Sequence, residues 1–194
     1  MKLKVNEIFY SLQGEGGRQG EASVFIRLSG CNLHCDFCDT GFESGDRMEL
    51  ADILSGIENF PCKWIIWTGG EPSLQLNDEA LLFFREKGYR QAIESNGSFP
   101  FSPLLDYTVC SPKGNPGYAK IKNKKVDEVR IPVRAGDRIP PVSDLPEASF
   151  YFLSPVFEAD GKTTADNIAF CVEQIKKDPV WRLSVQVHKL IGIT

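Results

Sequence analysis

Apolar runs alternate with segments of helical periodicity in the first half of the chain. Branched and aromatic residues predict strands, and apolar positions three and four apart predict helices. The predicted strands are 23–30, 63–72 and 89–97, and the predicted helices are 48–60 and 77–88. Asn77 suits a helix N-cap and Gly88 a helix end. This strand–helix–strand order favours parallel strands joined by right-handed crossovers.

The pattern changes after residue 97, where strands follow one another with little room for helices. It predicts strands at 106–113, 127–133, 148–155 and 181–190, and one helix at 163–178. The loops between the first three of these strands are short and rich in Gly and Pro. We therefore predict an α/β fold, an incomplete parallel β/α barrel of about six strands with few helices. It forms a single domain over residues 1–194.

Composition and charge exclude several classes of protein. Hydrophobic residues make up 42% of the 194 residues and charged residues 25%, as in globular domains. A net charge of −4 gives no general reason to bind nucleic acid or an anionic membrane surface. No segment approaches the roughly 18 apolar residues of a membrane span. We expect a cytoplasmic protein.

Polar residues cluster where the predicted strands end. Segments of this kind follow five strands: the cysteine-rich loop after residue 30, Thr68–Pro72, Glu94–Gly97, Ser111–Lys113 and Ser154–Pro155. The carboxyl ends of parallel strands are the edge at which α/β sheets and barrels bind ligands. The sequence therefore predicts one site shared by the five loops.

Three cysteines, Cys31, Cys35 and Cys38, lie within eight positions. Cytosolic thiols are normally reduced, so this cluster favours a metal or catalysis over a disulfide. A structural zinc site needs four ligands, and the nearby His34 is adjacent to Cys35, where two side chains seldom reach one metal. Three thiolates can instead hold three irons of a [4Fe–4S] cluster and leave the fourth open. The iron–sulfur interpretation is favoured and zinc is the alternative.

Two motifs resemble those of the radical S-adenosylmethionine (SAM) superfamily. One is Cys31-x3-Cys35-x2-Cys38 with the aromatic Phe37 inside its last pair, and the other is the glycine-rich Thr68-Gly-Gly-Glu-Pro72. The resemblance implies that SAM binds the open iron through its methionine moiety. It also implies reductive cleavage of SAM to a 5′-deoxyadenosyl radical that abstracts hydrogen.

Segments near both ends of the chain narrow the resemblance to one family of this superfamily. Residues 7–40 and 181–193 are similar to the corresponding segments of the 7-carboxy-7-deazaguanine synthase family, and the likeness covers nearly the whole chain. It implies a lyase of queuosine and deazapurine biosynthesis that converts 6-carboxy-5,6,7,8-tetrahydropterin to 7-carboxy-7-deazaguanine with loss of ammonia. It further implies Mg²⁺, a homodimer, and an electron donor such as flavodoxin or ferredoxin.

The resemblance also carries over site residues. It implies pterin contacts from Leu12, Gln13, Gly14, Arg27, Thr68 and Thr194. It implies SAM contacts from Phe37, Cys38, Asp39, Gly70, Glu71, Ser111, Pro112, Lys113, Ser154, Pro155, Val156 and Phe157. It implies that Cys31, Cys35 and Cys38 hold the cluster and that Thr40 offers oxygen to Mg²⁺. The segment Ser154–Phe157 departs from the glutamine-proline form of relatives, so its SAM contacts are expected to come mostly from the backbone.

Four further residues are candidates on position alone. Glu15 is assigned to the guanidine-like edge of the pterin, with capping of its glycine-rich loop as the alternative. His188 is assigned to the substrate pocket because it lies with Gln186 on the face opposite Val185 and Val187, and a structural role is the alternative. Glu94 and Asn96 end a strand, but Asn-Gly is also an ordinary turn signal.

Two other functions compete with the synthase. A glycyl-radical-enzyme activase would carry the same cysteine spacing, although the Leu12–Gly16 and His188–Leu190 segments disfavour it. A non-catalytic, metal-stabilised binding module would hold zinc without iron or sulfide.

Overall fold

A nine-stranded sheet forms the frame of the structure, a computed structural model that describes residues 1–38, 40–113, 120–158 and 160–193. In chain order the strands are β1 Lys2–Leu12, β2 Ala22–Leu28, β3 Asp46–Glu49, β4 Trp64–Gly69, β5 Arg90–Ser95, β6 Tyr107–Cys110, β7 Lys125–Val133, β8 Glu147–Pro155 and β9 Trp181–Leu183. The helices are α1 Leu50–Ile57, α2 Asp78–Glu86, α3 Gly161–Lys177 and α4 Val187–Ile191. Short 3₁₀ turns occupy Gly16–Arg18, Pro72–Leu74 and Val142–Asp144.

The sheet is mostly parallel, which confirms the predicted fold class. Its strand order is β3-β1-β2-β4-β5-β6-β7-β8-β9, and every pairing from β2 to β9 is parallel. Seven strands therefore run in one direction, where the sequence predicted about six, and the seventh has only three residues. The connections β5–β6 and β7–β8 contain no α-helix, so this is a partial barrel with few helices.

Two strands at one edge were not predicted. β1 pairs antiparallel with both β2 and β3. Leu3 and Val5 point into the core as expected for a strand, but the register shifts between Val5 and Glu7. Such a bulge interrupts the two-residue alternation by which a strand is identified in a sequence. β3 has only four residues and occupies the start of what the pattern predicted as a helix at 48–60.

The predicted strand at 181–190 is wrong in its second half. β9 ends at Leu183, and Val187–Ile191 forms the helix α4, which ends at Gly192 in a left-handed conformation with φ of 70°. The alternation of Val185 and Val187 imitates a strand because a short segment cannot distinguish the two periods.

The two faces of the parallel strands have different surroundings. Ile26, Trp67 and Ile93 pack in a core with α1 and α2, and Val129 and Leu153 pack in a second core that includes Cys171 of α3. Neighbouring positions on the same strands therefore point the other way. No helix in the described parts of the chain is long and apolar enough to cross a membrane.

Candidate active site

A cavity of about 460 Å³ opens at the carboxyl ends of the parallel strands, on the face opposite the two cores. Its walls are the strand positions that alternate with core positions, and the five polar segments named from the sequence all reach it. Strand alternation supplies the lining residues Phe25, Arg27, Thr68, Glu94, Arg130, Pro132 and Ser154. The loops that follow those strands complete the walls.

Most of the predicted site residues face this cavity. Those predicted for the pterin are Leu12, Gln13, Gly14, Glu15, Arg27, Thr68 and His188, and Glu94 and Asn96 join them. Those predicted for SAM are Phe37, Cys38, Gly70, Ser111, Lys113, Ser154, Pro155, Val156 and Phe157. Those predicted for metal are Cys31, Cys35, Cys38 and Thr40. Asp39 and Thr194 lie outside the described residues.

Glu71 is a correction, because its side chain is fully buried and does not line the cavity. Its carboxylate accepts hydrogen bonds from the backbone N–H of Ser73 at 3.0 Å, from the Ser95 hydroxyl at 2.8 Å and from the backbone N–H of Asn96 at 2.8 Å. These contacts use three of its roughly four acceptor positions. Glu71 therefore ties the loop after β4 to the end of β5, and its side chain does not face the cavity predicted for SAM.

Pro112 also lies away from the main cavity. It lines a second cavity of about 440 Å³ that shares Phe37, Lys113 and Val156 with the first. The two cavities therefore adjoin along the segment that contains the cysteines.

The cysteine segment, residues 31–38, brings three free thiols to one wall. Cys31 and Cys35 are half-buried and Cys38 is exposed. Burial raises the pKa of Cys31 and of Cys35, and the neighbouring Cys38 raises both further, whereas the Lys113 ammonium lowers that of Cys35. Burial therefore favours the thiol form of Cys31 and Cys35, and a bound cation would ionise them.

The donor set fits an iron–sulfur cluster with an open iron, because three thiols face one cavity and their charges influence one another. Within the described residues, no group of three or more His, Cys, Asp or Glu side chains is already arranged to hold a metal ion.

The glycine loop, residues 68–72, packs directly on the start of the cysteine segment. Gly69 has a φ of +119°, which favours glycine. A methyl group added at Gly70 would overlap the carbonyl group of Gly30. The backbone N–H of Glu71 donates to the same Gly30 oxygen at 2.8 Å. The two glycines therefore permit backbone contact between the two motifs.

Arg27 joins the cysteine loop to the sheet. Its guanidinium donates to the Thr40 hydroxyl at 3.0 Å and pairs with the Glu7 carboxylate at 3.3 Å. It also lies over the Phe9 ring, at 5.6 Å from the ring centroid. Its side chain is a quarter exposed, so the cation is accessible to an anionic ligand in the cavity.

A buried ionic group at the cavity, the Arg130 cluster, consists of Glu15, Glu94, Glu128 and Arg130. Arg130 pairs with Glu128 at 2.7 Å, with Glu94 at 3.2 Å and with Glu15 at 3.3 Å. Burial raises the pKa of Glu94, and the carboxylates of Glu128 and Glu15 raise it further against the opposing effect of Arg130. Three carboxyl groups therefore face one guanidinium.

The hairpin tip, residues 13–21 between β1 and β2, links this cluster to the last helix. The Gln13 amide donates to Glu94 at 2.9 Å, and the backbone N–H of Gly16 donates to the Ser184 hydroxyl at 2.9 Å. The backbone N–H of Val187 donates to the Gly14 carbonyl at 3.1 Å. His188 packs against Gly14 so closely that a methyl group there would overlap its ring. His188 thus lines the cavity from a helix rather than from the predicted strand.

Glu128 and Arg130 were missed in the sequence. The sequence contained a signal for them, because Glu128 and Arg130 are two residues apart on an otherwise apolar strand. Charged residues are ordinarily excluded from a buried face, so such a pair indicates a buried ionic site. A pattern restricted to one strand, however, does not show which partner charges lie opposite.

Comparisons with known proteins identify relatives of the whole chain. The profile described as Radical SAM superfamily matches residues 25–145. A protein named 7-carboxy-7-deazaguanine synthase from Bacteroides thetaiotaomicron is 42% identical over 193 residues, covering 100% of both chains. One of the same name from Haemophilus influenzae is 40% identical over 203 residues, covering 98% of this chain and 94% of the relative. The crystal structure of QueE from Escherichia coli has a TM-score of 0.74 at 24% identity, covering 97% of this chain and 95% of that one. The last comparison supports the fold alone.

Proposed function

The chain belongs to the 7-carboxy-7-deazaguanine synthase family of the radical SAM superfamily, and from this premise we propose that it converts 6-carboxy-5,6,7,8-tetrahydropterin to 7-carboxy-7-deazaguanine with loss of ammonia. The observation that supports this most directly is that a single cavity gathers the cysteine segment, the glycine loop, Arg27 and the Arg130 cluster. Its volume of about 460 Å³ lies in the range of small-molecule binding sites.

Members of the superfamily use SAM and a [4Fe–4S] cluster. In this chain Cys31, Cys35 and Cys38 would hold the cluster through thiolates. When bound, the cluster and SAM would supply the electron and the adenosyl radical for hydrogen abstraction. The glycine loop would support this step by holding the cysteine segment in place, because it packs against Gly30, the residue just before that segment.

SAM is proposed to lie along the end of the cysteine segment and the residues near it. Those residues are Phe37, Cys38, Gly70, Ser111, Lys113 and Ser154–Phe157, and the family resemblance adds Asp39, which lies outside the described residues. Lys113 already donates to the Ser111 hydroxyl at 2.6 Å, and its ammonium lies 6.0 Å from the Phe37 ring centroid. An aromatic face and a cation suit the adenine and carboxylate groups of SAM.

The pterin carboxylate is proposed to bind Arg27, because a guanidinium matches carboxylate geometry. Thr40 lies beside Arg27, so its hydroxyl and the same carboxylate would form an oxygen site for Mg²⁺. Thr68 neighbours Arg27 in the paired strands β2 and β4 and would contact the same ligand.

The opposite edge of the pterin carries N–H donors. Glu15 and Glu94 offer carboxylate oxygens to that edge, and Gln13 is held against Glu94. Negative charge around the cavity favours a ligand whose donor edge is guanidine-like. His188 closes the wall beside Gly14.

Three further properties stay as proposals from the family resemblance. They are a homodimer, an electron donor such as flavodoxin or ferredoxin, and a cytoplasmic location. The single nine-stranded sheet supports the proposal that residues 1–194 act as one radical SAM domain.

The test is anaerobic reconstitution with iron and sulfide, followed by incubation with reductant, SAM, Mg²⁺ and 6-carboxytetrahydropterin. We expect a deazapurine carboxylate and ammonia in equal amounts from the wild-type protein. Cys35→Ala should lose both the bound iron and turnover. Cys62→Ala is the matched control and should keep both, because Cys62 does not line the cavity.

Two outcomes would contradict the proposal. An intact cluster that cleaves SAM but leaves the pterin unchanged would point to another radical SAM reaction, including activation of a partner protein. Zinc in place of iron and sulfide after anaerobic purification would point to a metal-stabilised binding module.

A further inference from the structure

Arg130 is 5% exposed and directs all its donors at carboxylates. Its Nε donates to Glu128 at 2.9 Å, and Nη2 donates to Glu128 at 2.7 Å and to Glu94 at 3.3 Å. Its Nη1 donates to Glu94 at 3.2 Å and to Glu15 at 3.3 Å. A guanidinium has five N–H groups, so these contacts use every one of them. Arg130 therefore has no donor left for a ligand.

Glu128 is occupied in the same way. Its Oε1 accepts the two bonds from Arg130, and its Oε2 accepts from the backbone N–H of Gly17 at 2.9 Å and from the Tyr107 hydroxyl at 3.0 Å. Four donors fill the roughly four acceptor positions of a carboxylate. Glu128 is 1% exposed and does not line the cavity. It anchors Arg130 and holds the hairpin tip through Gly17.

Glu15 and Glu94 differ from Glu128 because both face the cavity and are not filled by the described residues. Glu94 accepts two bonds from Arg130 and one from Gln13. Glu15 accepts one bond from Arg130 and contacts the Ser154 hydroxyl at 2.8 Å. At about four acceptor positions per carboxylate, one remains on Glu94 and two on Glu15.

We propose that Arg130 and Glu128 are a positioning pair that holds the carboxylates of Glu15 and Glu94 side by side, with their remaining acceptor positions aimed at a ligand edge carrying two or more N–H donors. The inference rests on the proposed function, in which the pterin presents such an edge. Neither member of the pair touches the ligand. The pair sets the spacing and orientation of the two carboxylates that do.

The geometry requires arginine in particular. Lysine would keep the positive charge, but its three donors cannot replace the five bonds of Arg130, and its rotating ammonium does not orient carboxylates as the planar guanidinium does. An Arg130→Lys protein would therefore keep the charge balance and lose the fixed orientation of Glu15 and Glu94.

The test measures binding of 6-carboxytetrahydropterin to the anaerobically reconstituted protein with SAM and Mg²⁺ but without reductant, by titration calorimetry. We expect Arg130→Lys to raise the Kd of the pterin about tenfold or more, since charge-assisted contacts are lost. The Kd of SAM should stay within about twofold. Arg47→Lys, an exposed position on β3, is the matched control and should change neither. Glu128→Gln is the second variant, should Arg130→Lys fail to fold, and should raise the pterin Kd in the same direction.

A triple variant separates positioning from general support of the fold. If Arg130 acts through Glu15 and Glu94 together, adding Arg130→Lys to Glu15→Gln/Glu94→Gln should change the pterin Kd by less than about twofold. A loss from Arg130→Lys that persists in full in the triple variant would overturn the inference. So would equal weakening of SAM and pterin binding in Arg130→Lys, or unchanged pterin binding in both variants. Failure of the wild-type protein to bind the pterin would instead overturn the proposed function, and this inference with it.

Discussion

Gly70 lies where the two sequence motifs of the site meet, and its substitution tests that contact. We expect Gly70→Ala to destabilise the protein by about 1–3 kcal/mol, because the added methyl group overlaps backbone atoms of Gly30 that cannot rotate away. Displacement of Gly30 should also move Cys31 and lower the iron bound after reconstitution. Denaturant unfolding and iron analysis measure the two effects.

Gly41→Ala is the control for this substitution, because Gly41 lies shortly after the cysteine segment, between β2 and β3, and a methyl group there meets nothing within 4 Å. Full iron content in Gly70→Ala would show that the cysteine segment does not depend on the glycine loop.

Glu94 makes the free energy of unfolding of the metal-free protein fall as the pH rises. Its pKa is raised in the folded protein, mainly by burial, above the value of about 4.3 in an unfolded chain. The folded state therefore binds the proton more tightly, and this stabilisation is complete below about pH 4.3 and lost as the pH rises through the folded pKa. Arg130, Glu128, Glu15 and Gln13 face the group and Lys113 lies within electrostatic reach.

Glu94→Gln has no proton to lose, so its free energy of unfolding should rise relative to wild type as the pH increases from about 4.5 to 8. Urea unfolding across this range measures the difference. Glu147→Gln, which removes an exposed surface pair with Lys125, should show no comparable trend. A difference for Glu94→Gln that does not vary with pH would contradict the raised pKa.

At the residue scale, the sequence predicted those side chains whose role depends on near neighbours. The cysteines and Gly70 belong to short motifs, and the structure places them on one cavity. The role of Glu71 could not be predicted, because its partners Ser95 and Asn96 come from the next strand. The cavity groups of the Arg130 cluster come from three separate segments, so no local pattern shows their proximity.

The hairpin tip is the element that connects the cavity to the opposite, amino-terminal ends of the strands. Arg18 is 7% exposed, stacks on Trp64 with its guanidinium carbon 3.6 Å from the ring centroid, and pairs with Glu21 at 2.8 Å. Trp64 is the first residue of β4. The tip is therefore held at its far side by a cation–π contact and at its cavity side by Glu128 and Ser184.

Arg18→Met should cost about 1–3 kcal/mol of stability and raise the KM for the pterin, because a desolvated cation–π contact and the anchor of the tip are both lost. Arg90→Met is the matched control. Arg90 is exposed and lies over the same Trp64 ring at 4.1 Å, so it should cost less than about 1 kcal/mol and leave KM unchanged. Equal effects of the two variants would mean that the tip is not held through Arg18.

At the element scale, the strands β2 and β4 to β8 and the helices α1, α2 and α3 could be predicted, since buried strands and amphipathic helices carry their pattern in few residues. β1 was missed because of its bulge, and β3 because four residues provide too little pattern. α4 was predicted as a strand, since its conformation depends on the contact between Val187 and Gly14 rather than on local periodicity.

On the scale of the whole molecule, segments distant in the sequence complete the cavity. β3 and β9 are the two edges of the sheet and do not pair with each other. The segment after β9 instead reaches the hairpin tip, through Ser184 to Gly16 and through Val187 to Gly14. Contacts beyond the sheet therefore join residues near 14 to residues near 187.

Truncating the chain after Gln186 should weaken binding of the pterin without affecting the cysteine segment. We expect iron content to be unchanged, because the cysteine segment and the glycine loop are intact, and the Kd for the pterin to rise about tenfold or more with loss of His188 and of the Val187–Gly14 bond. Iron analysis and anaerobic titration measure the two effects. Leu190→Ala, at a position 60% exposed on the same helix, is the control and should alter neither.

The contact between residues 14 and 187 also orders the assembly of the site during translation. The 150 residues from Cys38 to His188 take about 8–30 s to add at about 5–20 residues per second. Throughout that interval the thiols have been synthesised while the last wall of the cavity has not. A nascent chain can therefore present its cysteines before it has a complete pocket for the pterin, and the pocket closes only as residues near 188 leave the ribosome.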